Sequence, residues 1–339
     1  MNKYFDENKI NELYPGAGRY MIPAMLINKG TSELITEAVE SNDYFGELKK
    51  DGYWYEFVKG YNGNCYLFSR NISKATNLLT EKIDCVPHIK DALNCIPCGT
   101  VIIGEIYYPG GTSKNVTEVM GSLPDRAIDV QNKKGLIHYY MHDIIFFEDK
   151  NMMNDGSLVR RELLGKVWDL YNLKKYQFLE LADIYTDNLD TEIKNAFAAG
   201  EEGMVLKKKD GVYEPDKRPK TNLKVKKSDT FDAIITRFEE PTKEYVGKES
   251  DTWEWKDENG NLVSKAWAKG WMNSRIVISA FNKDGDLVEI GNVSSGINDI
   301  TKKDMSLHPE KYLNHVCEIQ CMEVDKKAFT LRHAFYIFI

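Results

Sequence analysis

A chain of 339 residues has room for two domains, and 42% hydrophobic with 29% charged residues is the balance of a globular protein. Its formal net charge of −7 excludes a protein that coats nucleic acid with its whole surface, while leaving room for a local basic groove. No apolar run approaches the roughly 20 residues of a membrane-spanning helix, and the N-terminus lacks the apolar centre of a signal peptide, so a cytoplasmic protein with no membrane attachment is expected.

Taken in chain order, "TSELITEAVES" places a hydroxyl cap and an early acid before apolar residues at helical spacing, which predicts a helix from about Ser32. The period then changes. "YWYEFVKGYNGNCYLFSR" is two aromatic and β-branched runs joined by Asn-Gly, a hairpin signal. The "CIPC" of Cys95 and Cys98 leads into a strand and has no second pair at zinc-site spacing, so free thiols are expected throughout. "TVIIGEIYY" and "LIHYYMHDIIFFE" read as buried strands. "RRELLGKVWDLY" and "TEIKNAFAAG" read as helices, the second closed by a C-cap glycine. "EGMVLKKK", "LKVKK", "FDAIITRF", "RIVISAFNKDGDLVEIGNV" and "HVCEIQCMEV" supply strands to the end. The fold class is therefore α+β, with a boundary near Ser228. Domains of 1–228 and 229–339 are expected, the second the size of a five-stranded OB-fold barrel.

Several charged residues stand where charge is costly. Glu105 in "IIGEI" and Glu202 in "EEGMV" project from apolar strands and call for a cation. Between Lys207 and Lys227 lie nine basic residues against Asp210, Glu214 and Asp216, and strand alternation puts Lys224 and Lys226 on one face. Lys49, Asp51 and Gly52 form Lys-x-Asp-Gly at a turn between strands, where glycine permits a close approach by a ligand.

Six elements follow in order: Glu47-Leu48-Lys49-Lys50-Asp51-Gly52, "LFSRN", "IIGEI", "HDIIFF", "EEGMVLKK" and "LKVKK". This series resembles the covalent nucleotidyltransferases, most closely the ATP-dependent DNA ligases of compact phage or viral type. The resemblance implies an adenylation domain of antiparallel sheets with flanking helices followed by an OB-fold. It also implies a monomer that uses ATP and Mg2+, with Mn2+ as a substitute, on nicked duplex DNA in the cytoplasm of a phage-infected or bacterial cell. In that family the lysine of Lys-x-Asp-Gly is the nucleophile, here Lys49, with Lys50 at the variable position. By the same resemblance Lys224 and Lys226 assist catalysis and cradle phosphate, and Asp51, Glu105 and Glu202 serve the metal. Glu47, Leu48, Gly52, Arg70, His142 and Arg332 join them around the nucleotide, with Ser69 and Asn71 shaping the Arg70 loop and His142 standing where the family carries an adenine-stacking aromatic residue. Alternatives are an RNA ligase, an mRNA-capping guanylyltransferase and an inactive nucleic-acid-binding OB protein.

The chain departs from the family pattern at Trp54, which replaces an arginine, and after "LRH", where the basic continuation of the last family element is absent from the sequence. The stretch 241–271 carries Trp253, Trp255, Trp267 and Trp271 around a "DENGN" turn and reads as a protruding hairpin. It resembles the latch with which minimal viral ligases close on duplex DNA.

Overall fold

The computed structural model of the protein describes residues 3–5, 24–73, 76–226, 229–245, 255–271, 275–321, 323–325, 330–332 and 335–338. The chain folds as two units, Met1–Lys226 and Lys227–Ile339. Among the described residues no helix is long and apolar enough to cross a membrane.

The strands of the first unit are β1 (Lys3–Phe5), β2 (Asn28–Lys29), β3 (Tyr44–Leu48), β4 (Gly52–Lys59), β5 (Cys65–Ser69), β6 (Leu79–Glu81), β7 (Thr100–Tyr107), β8 (His138–Phe147), β9 (Lys150–Asn151), β10 (Leu179–Leu181), β11 (Gly203–Lys208) and β12 (Asn222–Lys226). They make two sheets, a larger one in the order β1-β6-β5-β4-β7-β8-β10 with β9 beside β8, and a smaller one in the order β2-β12-β11-β3. Among the described residues six α-helices accompany them: α1 (Ser32–Glu40), α2 (Pro87–Leu93), α3 (Ser113–Met120), α4 (Pro124–Lys134), α5 (Ser157–Leu170) and α6 (Leu189–Ala198). Helix α1 starts where its cap predicts, with the Thr31 hydroxyl accepting from the Leu34 amide at 3.3 Å. The β4–β5 hairpin turns through residues 60–64, with Gly63 at φ +78°. The pair α3 and α4 escaped the sequence reading, although Thr112 caps one and Pro124 opens the other.

The larger sheet buries apolar residues on both faces, with Val58, Phe68, Val101, Ile103 and Ile145 on one of them. The other face, through Phe57, Ile102, Ile106, Met141 and Ile144, packs on apolar residues of α2 to α5. The smaller sheet turns Leu48, Met204, Leu206 and Leu223 toward α1 and α6, where Ala38, Leu189 and Ile193 receive them. By alternation, Glu47, Val205, Lys207 and Lys224 face the other way. Strands β3 and β4 belong to different sheets, so the turn expected at Lys49–Asp51 is the crossing from one sheet to the other.

In the second unit, β13 (Asp229–Glu239), α7 (Lys265–Ala268), β14 (Arg275–Phe281), β15 (Leu287–Val293), α8 (Asp299–Leu307), β16 (Val316–Cys321), β17 (Glu323–Asp325), β18 (Thr330–Arg332) and β19 (Phe335–Phe338) follow in order. The five-stranded sheet runs β15-β14-β13-β16-β19. That is the order 3-2-1-4-5 of an OB-fold, with α8 between its third and fourth strands. Among the described residues of the inserted stretch, Glu244 bridges Val263 and Lys256 bridges Leu262; residues 246–254 of the expected hairpin lie outside the described residues. Its tryptophans are engaged by its own lysines: Lys269 lies 4.8 Å from the ring of buried Trp255, and Lys243 lies 4.9 Å from Trp267 while pairing with Asp257 at 2.8 Å. Trp253 lies outside the described residues.

Candidate active site

Lys49 follows the last residue of β3, and its amide donates to the carbonyl of Gly203 at 2.9 Å, extending the ladder by one bond. Its ammonium lies 2.6 Å from Glu202 Oε2. The other oxygen of Glu202 pairs with Lys226, so the cations required for this carboxylate are two lysines. Glu202 owes its place to the end of α6, where Gly200 takes φ +81° and the Glu201 amide donates to Ala196, a left-handed helix stop only glycine adopts without cost.

Lys224 stands opposite Val205 on β12. Burial holds its pKa below the usual lysine value, and the positive charges of Lys226, Arg218 and Lys49 add to the effect. From the larger sheet comes Glu105, flanked on its two neighbouring strands by Trp54 and Tyr140. Burial, joined by the charges of Glu202 and Asp51 and partly offset by Lys49 and Arg70, pushes its carboxyl up to about 7. Lys49, Glu202, Arg70 and Asp51 thus act on Glu105, and Lys226, Lys49 and Glu202 act on Lys224, so Lys49 and Glu202 join the two groups at the crossing between the sheets.

Asp51 is also used structurally, since its carboxylate accepts from the Ser113 amide at 3.2 Å, at the positive N-terminal end of α3. Gly52 also has a role inside the sheet. A Cβ there would meet the Ile106 carbonyl at 2.3 Å and Glu105 Cγ at 2.9 Å, so its missing side chain lets β4 and β7 approach. Leu48 is set apart: its side chain packs with the α1 and α6 core, on the face away from Lys49. Among the described residues no three Asp, Glu, His or Cys side chains converge to hold a metal ion, so Asp51, Glu105 and Glu202 are not a ready-made cage. The side chain of Arg332 lies outside the described residues. Cys65, Cys85, Cys95, Cys98 and Cys317 are free thiols.

A second cluster adjoins the first through Glu47, two residues before Lys49. Buried Glu47 pairs with Lys207 at 2.5 Å, and its Oε1 faces Arg161 Nε at 3.7 Å with no hydrogen-bond partner on either atom. Burial outweighs these cations and leaves the Glu47 carboxyl above its usual pKa. His142 is the extra residue of a β-bulge, because the register passes from Gly104 opposite Met141 to Ile103 opposite Asp143. Its carbonyl accepts from Lys207 at 3.2 Å. Burial, with the Lys207 charge next, lowers its imidazole to about 3. Asp143 beside it is gripped by Arg160 at 2.8 and 3.0 Å, and that charge and those bonds together outweigh burial and hold Asp143 below its usual value. Sequence reasoning gave no site role to Arg160, Arg161 or Asp143 and read Lys207 only as part of the basic segment. Only Lys207 carried a signal, since alternation with Val205 places it on the face of Lys224.

The family model described as ATP dependent DNA ligase domain matches residues 24–226, the span that holds both clusters. The chain belongs to the ATP-dependent DNA ligase family. The DNA ligase of Methanococcus maripaludis strain S2 / LL is 25% identical over 298 residues, covering 83% of this chain and 46% of the relative. That of Methanocorpusculum labreanum is 23% identical over 304 residues, covering 87% of this chain and 47% of the relative. The chain spans about half the length of the curated relatives it matches.

Solved structures share the fold of this ligase-family chain. One named Pmar-Lig_PreS3 has a TM-score of 0.65 at 18% identity and covers 93% of this chain and 67% of its own. A Lig E DNA ligase, described as binding DNA with a minimal scaffold, has a TM-score of 0.58 at 15% identity, with 94% and 99% covered. The ligase fold is thus an adenylation domain of antiparallel sheets and flanking helices followed by an OB-fold domain.

Proposed function

We propose that this chain is an ATP-dependent DNA ligase that seals 5′-phosphate/3′-hydroxyl nicks in duplex DNA and acts as a monomer. The observation that carries the reading is the 2.6 Å contact of Lys49 with Glu202 at the crossing of two sheets, with Lys226 on the same carboxylate and Glu105 beside them.

The Lys49 ammonium first gives up a proton, and Glu202 Oε2 is the acceptor within reach. The amine nitrogen attacks the α-phosphorus of ATP; a phosphorus–nitrogen bond forms, the bond to the bridging oxygen breaks, and pyrophosphate leaves. A DNA 5′-phosphate oxygen then attacks the same phosphorus, breaking its bond to Lys49 and giving DNA-adenylate. The 3′-hydroxyl attacks the DNA phosphorus, loses its proton and displaces AMP. Lys224 and Lys226 bring positive charge to phosphate oxygens, and Arg70 offers a planar fork for ribose or phosphate.

Glu105 and Glu202 suit magnesium, or manganese in its place, because a buried carboxyl raised to about 7 beside two like charges gains from a divalent cation. Two carboxylates completed by substrate phosphates are an ordinary magnesium donor set. When bound, the ion offsets phosphate charge during in-line transfer. Glu47, Lys207, His142 and Val205 form the wall for the base, and the 241–271 segment, with Lys256 and Lys269 exposed, is the contact for duplex phosphate.

The test incubates the protein with α-labelled ATP and magnesium, maps the label by peptide mass, and chases with nicked DNA or nicked RNA. The expected result is AMP on Lys49, none in Lys49→Ala, and sealing of the DNA. Label surviving in Lys49→Ala overturns the nucleophile, and label passing only to RNA replaces the DNA reading with an RNA ligase.

A further inference from the structure

Lys50 fills a position to which the sequence resemblance assigns nothing, yet its side chain is 14% exposed against 19% for Lys49. A lysine so covered needs a partner. It has three. Its ammonium lies 2.9 Å from Glu201 Oε1 and 5.4 and 5.5 Å from the ring centroids of Tyr107 and Tyr140. Tyr107 is itself fixed, its hydroxyl donating to Glu180, which His138 meets at 2.7 Å.

Lys49 and Lys50 engage different carboxylates of the facing segment, Glu202 and Glu201. The two doublets interlock, Lys49 with Glu202 and Lys50 with Glu201, about the backbone bond from Lys49 to Gly203. We propose that Lys50 is a positioning residue, whose clamp between Glu201 and the Tyr107 and Tyr140 rings sets the crossing between the sheets so that Lys49 presents its amine to the nucleotide. This rests on the reading of Lys49 as the nucleophile. Without the clamp, Glu201 loses a cation and competes with Glu202 for the Lys49 amine, and a displacement of about 1 Å at a reacting atom costs up to about a hundredfold in rate.

Single-turnover adenylation with labelled ATP tests this on wild type, Lys50→Ala, Lys50→Arg, Glu201→Gln and the Lys50→Ala/Glu201→Gln double variant, each with its melting temperature. The expected result is a maximal rate about tenfold lower for Lys50→Ala with half-saturating ATP unchanged within about twofold, and recovery of most of the rate in Lys50→Arg. The double variant should be no slower than the slower single, because both changes open one clamp. A wild-type rate in Lys50→Ala, losses that multiply in the double variant, or a melting temperature that falls in step with the rate and is not rescued by arginine overturns the proposal. Wild type that takes no label, or Lys49→Ala that keeps it, brings down the nucleophile reading and the positioning role with it.

Discussion

Glu105→Gln should make the protein more stable and less active. The carboxyl stands at 4.5 in an ordinary setting and at about 7 here, with burial the main cause and the Glu202 and Asp51 charges next among those that raise it. Between those values the folded protein keeps a proton that the unfolded chain has lost, so stability falls as pH rises through the window from 4.5 to about 7. At about 1.4 kcal/mol per pH unit, the full penalty of ionised Glu105 is on the order of 3 kcal/mol. Glutamine keeps the shape and cannot ionise. The variant should therefore match wild type near pH 4 and exceed it above pH 8 by about 3 kcal/mol, or about 6–12 °C in the melting of a unit of this size. The gap should narrow when magnesium and ATP are added, because a cation beside the carboxylate stabilises the wild type alone. Scanning calorimetry of both proteins from pH 4 to 9, with adenylation measured on the same preparations, makes the comparison. A stability difference that is flat with pH, or that widens toward acid, refutes the reasoning.

Four other outcomes are expected. Asp143→Ala strands the buried Arg160 guanidinium and should cost about 3–5 kcal/mol, while Asp143→Ala/Arg160→Met should recover most of it in urea unfolding. His142, lowered to about 3, stays neutral across the working range, so ATP affinity should show no step from it between pH 5 and 8. If its ring stacks on the base, His142→Ala should weaken ATP binding by about 1 kcal/mol and His142→Phe should not, and equal titrations for the two would count against stacking. Replacing residues 243–269 by a Gly-Ser turn should leave adenylation near normal, weaken binding to nicked duplex and flatten its salt dependence; unchanged nick binding with a lowered melting temperature would reduce the segment to a cover.

The legible parts of this chain were those written locally. Alternation in "LKVKK" was enough to put Lys224 and Lys226 on one face, Asn-Gly was enough for the β4–β5 hairpin, and Gly200 marked the end of α6. The invisible parts depend on partners far away in sequence. Nothing near Glu47 announces Lys207 or Arg161, and the bulge that displaces His142 is a property of two strands in register. Helices α3 and α4 are a different matter, since Thr112, Gly121, Pro124 and Gly135 mark their ends and the local rules were present.

Strand β11 has one further consequence, for how this protein can vary. Val205 and Lys207 face the site while Met204 and Leu206 fill the core, so gaining or losing one residue between Glu202 and Lys207 would exchange the two sets, driving an ammonium into oil and a thioether into the cleft. Its length is therefore constrained even where its side chains are replaceable. A library built to change base preference should randomise positions 205 and 207 at fixed length, and natural relatives should carry their insertions and deletions outside this stretch.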